Sequence, residues 1–330
     1  MSFTKTAHLP VTPDEAFALV TEPERLRRWQ TVSAVVDLRA GGDYRWTVTP
    51  GHVAAGTFRE LEPGRRVVFG WGWEGSDELP PDASTVTVTI EAAEGGSTVT
   101  LVHEGLSAEQ AAMHAEGWNH YFDRLQRLAA TGDAGRDDWS NVPAEMTPVT
   151  VAEAALAGLQ PVLRALTDTD RSKQTPCDDF TCHELVEHLF ASLEQLGAMA
   201  GTTVVNPEQG SLENRVSVMA AQAIDGWLSV DLEGTVPGPG GSEMPAAFAA
   251  SILPVELALH GWDLAQASGQ TLVLSDEVVA YLRTLAEGLV PAGRESGSFA
   301  AEVGAHDDAS PLDRLAAFSG RTPLLAPSTI

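Results

Sequence analysis

The stretch Ile252-Leu-Pro-Val-Glu-Leu-Ala-Leu-His-Gly-Trp-Asp263 constrains this chain more than any other. It sets Glu256 and His260 four residues apart, which puts both side chains on one helical face, a single turn from each other. Their neighbours Val255, Leu257, Ala258 and Leu259 are apolar, so few polar groups are at hand. An unpaired buried carboxylate is costly, and coordinating a divalent cation is one way to compensate. Zinc that keeps a position open for water or substrate takes three protein ligands. The rest of the chain must therefore supply the third. The candidate is His188, in Thr181-Cys-His-Glu-Leu-Val-Glu-His-Leu189. The bland alternative is a surface Glu–His pair with a lone His188 at a helix edge, and spacing alone does not choose between them.

At 330 residues the chain is long enough for two domains, each with its own core. Its formal charge of −26 argues against nucleic acid and against anionic membrane surfaces, both of which attract basic proteins. Cys177 and Cys182 make no disulfide scaffold and miss the C-x-x-C redox spacing. No secretory apolar run opens the chain, and no later run is long enough to cross a bilayer, so a cytoplasmic protein is expected.

Residues 1–135 read as an α+β domain. Phe3–Leu9 alternates as a strand, and Thr12-Pro-Asp-Glu15 is a helix start with a capping Thr and Pro at the first helical position. That helix is interrupted at Glu22-Pro23. Strands are expected over 34–38, 43–48, 56–61, 66–73, 85–90 and 97–103, with Gly-Gly and Pro-Gly turns between several of them. A closing helix over 108–130 carries Ala111, Ala115, Trp118, Phe122 and Leu125 on one stripe. This order describes a helix-grip architecture, a curved sheet around its last helix. Trp46, Trp71, Trp73, Trp118 and Tyr121 are candidates to line a ligand cavity there, although large aromatics also dominate ordinary cores. His103, His114 and His120 are better read as satisfied or solvent-facing.

Thr12-Pro-Asp-Glu-Ala-Phe17, Leu61-Glu-Pro-Gly-Arg-Arg-Val-Val-Phe69 and His114-Ala-Glu-Gly-Trp118 with Tyr121 resemble the START-like (SRPBCC) superfamily, in the branch named after the activator of the heat-shock chaperone ATPase. The resemblance implies a pocket for a small hydrophobic molecule; fold alone gives no function.

Residues 136–147 are polar and rich in small residues, which suits a linker, although Trp139 is expected to dock on a domain. From 148 to 330 helical periodicity takes over. Helices are expected over 149–167, from a capping box at Thr181–Glu184 to Met199, over 211–230, over 244–267 with a break or adjustment at Pro254, over 275–289 and over 311–318. Gly234–Gly241 reads as a plain loop. His183-Glu-Leu-Val-Glu-His188 is not the zinc-protease motif, because five residues on a helix turn the two imidazoles apart.

Thr175-Pro-Cys177, Leu185-Val-Glu-His-Leu189, Glu256-Leu-Ala-Leu-His-Gly-Trp-Asp263 and Gly320-Arg-Thr-Pro323 are similar to the metal-binding proteins related to mycothiol-dependent maleylpyruvate isomerase, of the DinB-like four-helix superfamily. That resemblance implies an all-α four-helix bundle with a divalent metal, zinc before others, on His188, Glu256 and His260. Asp263, near one turn beyond His260, is either second-shell support or a surface residue. The resemblance implies an additional C-terminal domain in the isomerase that is not expected here, where a START-like domain stands in front instead, so the isomerase's own reaction is not carried over. Two functions follow as expectations. One is a metal-dependent transferase or isomerase using a low-molecular-weight thiol such as mycothiol on a hydrophobic substrate. The other is a non-catalytic hydrophobic-ligand-binding protein whose metal-binding bundle is structural or sensory. A homo-oligomer is compatible with either.

Overall fold

The computed structural model describes residues 1–177 and 179–324, so 325–330 of the expected second domain and Asp178 of its first turn lie outside the description. The chain divides into two compact units, Met1–Trp139 and the residues from Ser140 on. The expected linker is thus shared: 136–139 lie with the first unit and 140–147 with the second.

The first unit runs β1 (Ser2–Leu9), α1 (Pro13–Thr21), α2 (Pro23–Leu26), β2 (Ser33–Val36), β3 (Asp43–Thr49), β4 (His52–Glu62), β5 (Arg66–Trp73), β6 (Ser84–Ala93), β7 (Gly96–Glu104) and α3 (Ala108–Thr131). Its strands form one antiparallel sheet in the order β1-β7-β6-β5-β4-β3-β2. Register breaks at Thr47/Thr49 and Phe58/Glu60 bulge β3 and β4, which sharpens the local twist and bends the sheet. The chemistry at α1 is as the residues dictate: Thr12 accepts from the Glu15 amide, and Pro13 occupies the first turn.

α3 starts with a Ser107–Gln110 capping box and ends at Gly132 with φ 82°, a conformation that suits glycine. Its buried face repeats at three- and four-residue steps through His114, Trp118, Tyr121, Phe122, Leu125 and Leu128. The apolar members, from Trp118 to Leu128, share one core with Trp46, Phe58, Phe69 and Trp71 from the sheet. Truncating the fully buried Leu125 to Ala would cost about 2–5 kcal/mol. This is the expected helix-grip fold.

The second unit contains α4 (Pro148–Ala165), α5 (Cys182–Met199), α6 (Leu212–Leu228), β8 (Thr235–Pro237), β9 (Glu243–Pro245), α7 (Ala246–Ser268), α8 (Asp276–Ser296) and α9 (Pro311–Phe318). α4 and α5 each pack on both α6 and α7, so these four helices close a ring. α8 packs on α7, and α9 on α8. Side-chain caps start five of the six helices, from Thr147, Thr181, Ser211, Ser275 and Ser310.

α7 departs from expectation at Pro254, where the helix continues without a break. The ring forfeits only the one bond to the Ala250 carbonyl, and neighbouring helices hold the segment on every side. Ala249, Leu253, Val255, Leu257, Ala258 and Leu264 are all buried. A second departure is the expected loop at 234–241. It contains strand β8, paired antiparallel with β9 from Thr235↔Pro245 to Pro237↔Glu243.

Candidate metal centre

Two pairs of neighbouring histidines distinguish themselves, one in each unit. In the first unit His103 (β7) and His114 (α3) lie with ring centroids 4.9 Å apart. The Trp118 indole N–H donates to His103 Nδ1 at 3.1 Å. His103 Nε2 then carries the proton and donates to Ser84 Oγ at 2.8 Å, and that hydroxyl donates to the Trp71 carbonyl at 2.9 Å. Trp71 Nε1 donates to His114 Nε2 at 3.2 Å, while His114 Nδ1 donates to the Gln110 carbonyl at 2.8 Å. Every ring nitrogen has one partner of the right kind, in a single tautomer. Burial, with His114 beside it, lowers the His103 pKa to about 3, and burial lowers that of His114 against its bond to Gln110. These are satisfied, neutral histidines.

The expected cavity residues gather in the same core. Trp71 is 6.2 Å from Trp46, 5.4 Å from Trp73 and 5.1 Å from Trp118 between ring centroids. Tyr121 sits on α3, against Trp139 at 5.9 Å. Trp139 itself stacks on His120 at 4.1 Å and 4°, and Asp137 meets His120 Nε2 at 2.9 Å, so the docking expected of Trp139 is on α3. Trp46 Nε1 and Tyr121 OH are buried without a hydrogen-bond partner.

In the second unit the sequence spacing does what helix geometry demands. His260 Nε2 is 3.0 Å from Glu256 Oε2 across one turn of α7. α5 brings His188 Nε2 to 3.8 Å from the same oxygen. One donor atom from each of the three lies within 4.8 Å of the others. His188 is the open side, with 39% of its side chain exposed against 20% for Glu256 and 5% for His260. The loop before α5 covers part of it: Thr175 N–H and Oγ1 both donate to the Phe180 carbonyl, and the Phe180 ring stacks on His188 at 4.9 Å. His183 is turned elsewhere, against Arg171 at 3.3 Å, where both line a separate 330 Å³ cavity.

Asp263 is fully buried, and its Oδ2 accepts from His260 Nδ1 at 3.2 Å. That contact keeps a proton on His260 Nδ1 and turns Nε2 toward Glu256. Glu256 Oε2 is buried and has no aligned hydrogen bond. Three potential ligand atoms thus converge on one point, where either a proton on His260 Nε2 or a cation can sit between ring and carboxylate. Ligands about 2.1 Å from a tetrahedral zinc stand about 3.4 Å apart, between the 3.0 and 3.8 Å separations seen here. Burial pushes the Glu256 carboxyl up, but His260 and His188 outweigh it and hold it at about 2. Burial likewise lowers His260, but Glu256 and Asp263 raise it to about 9. Burial and the charge of His260 lower His188, with Glu256 opposing.

Sequence reasoning named His188, Glu256, His260 and Asp263, and the fold assembles all four. It missed Phe180 and Arg321. Arg321 Nε donates to both Asp263 oxygens, at 3.0 and 2.9 Å. Its signal was indirect: a buried Asp on an apolar helix requires a counter-charge.

The helix-grip unit is of a recognised class. Residues 10–130 match the family described as Activator of Hsp90 ATPase homolog 1-like protein, so the first unit carries an AHSA1-like domain. Over 159 residues the chain is 30% identical to the uncharacterised protein Rv0738 of Mycobacterium tuberculosis, across 45% of this chain and 83% of that protein, and it belongs to that protein's family. Among solved structures, an AHSA1-like protein of Rhizobium etli is 40% identical, covering 44% of this chain and 92% of its own, with TM-score 0.37. CalU16 of Micromonospora echinospora is 25% identical, covering 40% of this chain and 77% of its own, with TM-score 0.34. Among the described residues no helix is long and apolar enough to cross a membrane.

Proposed function

We propose that the second unit is a DinB-like bundle whose His188, Glu256 and His260 hold one divalent metal, zinc before others. In this reading the protein is a thiol transferase or isomerase for a hydrophobic small molecule. The observation that carries the reading is the convergence of the buried Glu256 Oε2 with two imidazole nitrogens from different helices. Bound zinc would lower the pKa of a coordinated thiol and hold it as the thiolate, which is the nucleophile. Three protein ligands leave a position for that sulfur, on the side where His188 is exposed.

The chain's own cysteines are poor nucleophiles. Burial, helped by nearby carboxylates and opposed by Arg321, pushes the Cys177 thiol up to about 11, and burial raises Cys182. A free thiol such as mycothiol would supply the sulfur. Elemental analysis of untagged full-length protein tests the site first. About one zinc per chain in the wild type, lost in His188→Ala and Glu256→Ala, is expected. Thiol-dependent turnover of an apolar electrophile should then vanish in His260→Ala with the fold retained; unchanged turnover there overturns the enzymatic reading.

A second reading concerns the first unit. Domains of the AHSA1-like class typically bind hydrophobic ligands, and Trp46 Nε1 and Tyr121 OH are buried polar groups with nothing to bond. A mostly apolar ligand with one acceptor group would satisfy them. Native mass spectrometry of the purified chain should reveal such a ligand or its reloading from a lipid or polyketide extract; retention of nothing apolar counts against it.

A further inference from the structure

The two ends of the second unit's last helix are arranged around one contact. Ser310 caps α9 and accepts from the Asp313 amide. Asp313 Oδ1 accepts from the Trp262 indole at 2.9 Å, which pins α9 against α7. After Phe318 the chain reverses at Gly320, whose φ is 92° and where a Cβ would come within 2.7–2.8 Å of Ala300. Only glycine fits that turn without displacement. The next amide, of Arg321, donates back to the Ala316 carbonyl at 3.0 Å. This turn delivers Arg321, only 7% exposed, to Asp263.

The guanidinium is held on two sides. Nε donates to both Asp263 oxygens and Nη1 donates to Ser319 Oγ at 3.0 Å, itself bonded to the Ala316 carbonyl. Asp263 therefore has no freedom to rotate, and its Oδ2 stays 3.2 Å from His260 Nδ1. One N–H shared by both carboxylate oxygens and a second, in the same plane, on Ser319 make an arrangement that an ammonium would not reproduce.

We propose that Arg321 is a positioning residue of the metal centre: through Asp263 it fixes the ring orientation and tautomer of His260 that a cation on His188, Glu256 and His260 requires. The inference rests on the metal reading above and adds to it the segment following α9, more than fifty residues beyond the nearest ligand. Outer partners of this kind are worth 10- to 100-fold in metal affinity.

Simple electrostatics predicts the opposite sign, which makes the test decisive. Deleting a positive charge beside a cation site should tighten cation binding if Arg321 acts by charge alone. If it acts by positioning, deletion weakens binding. The experiment is zinc affinity of the full-length protein by chelator competition, for the wild type, Arg321→Met and Arg321→Lys. It is read together with the His260 Nδ1–H resonance in the zinc-loaded state. We expect affinity about 10- to 100-fold weaker in Arg321→Met, with the Nδ1–H resonance broadened or displaced.

Wild-type protein that binds no zinc removes the metal reading, and this inference with it. Wild type that binds, with Arg321→Met equal or tighter and its Nδ1–H unchanged, overturns the role of Arg321 alone. Should Arg321→Met fail to fold, Arg321→Lys decides, because it keeps the charge and loses the guanidinium geometry: about tenfold weaker binding supports the positioning role, and unchanged affinity refutes it.

Discussion

Each unit pairs histidines from two different elements, with ring centroids about equally close, 4.9 Å in the first and 5.2 Å in the second. The pairs behave in opposite ways. Around His103 and His114 stand indole N–H donors, a serine hydroxyl and a backbone carbonyl, so each nitrogen meets its complement and the pair stays neutral. Around His188 and His260 stand two carboxylates, one of them with an oxygen that has no aligned proton. Proximity of histidines therefore says little by itself. What separates a packed core from a cation site is whether lone pairs outnumber the protons aimed at them.

The largest effect should come from breaking the neutral pair with acid. The His103 pKa is depressed in the folded state, to about 3. Its contribution to stability is therefore complete above the unfolded value near 6.5 and is lost as pH falls from there toward 3. The full span amounts to about 5 kcal/mol. Urea midpoints of the first unit, read from its own backbone amide resonances between pH 7 and pH 4, should fall steeply. The fall should be much shallower in His103→Gln. Equal slopes in the two proteins would mean that His103 is protonated in the fold.

The metal-free second unit should show the reverse slope. His260 is raised in the folded state to about 9, so its contribution is fully present below 6.5 and is lost as pH rises through 9. The loss is about 3 kcal/mol, counted once for His260 and Glu256 together. Chelator-treated protein should lose urea resistance in the second unit between pH 7 and pH 9.5, while the first unit stays level. Zinc should abolish that slope, because the cation takes the place of the His260 Nε2 proton. A zinc-insensitive slope would undo the parallel between proton and metal.

How far these two sites were legible beforehand follows from the range of the interactions. Glu256 and His260 could be read because the helical repeat joins them within one turn, and α3's stripe could be read for the same reason. His188 needed a second helix, and its assignment came from resemblance to a family. Arg321 reaches Asp263 across 58 residues through a reversed turn, and nothing local in the sequence states that distance. The indole-to-imidazole bonds were equally invisible, since Trp118 and His114 on one stripe look like any apolar face. Pro254 misled because its cost is local, whereas the packing that carries α7 through it is tertiary.

A smaller effect sharpens the donor side of the comparison. Trp118→Phe keeps most of the ring but deletes the N–H that meets His103 Nδ1. A buried acceptor left unpaired costs about 1–3 kcal/mol. Thermal unfolding at pH 7 should register that loss. At pH 5 the deficit should shrink, because an imidazole without a donor on Nδ1 accepts a proton more readily. A deficit independent of pH would point to lost packing alone.

The smallest effect concerns a buried polar atom of the first unit that has no complement. Tyr121 OH sits at low exposure on α3 without a partner, and burial, with Asp137 adding to it, raises its pKa. Removing a hydroxyl that bonds nothing gives up no hydrogen bond, so Tyr121→Phe should be neutral or stabilising by up to about 1 kcal/mol. The same change should matter when an apolar ligand with an acceptor group is present, because the hydroxyl would then be a donor in use. Ligand-free stability equal to wild type, with ligand retention reduced several-fold, would make the orphaned hydroxyl a recognition group. A destabilised ligand-free variant would mean that the hydroxyl already has a partner.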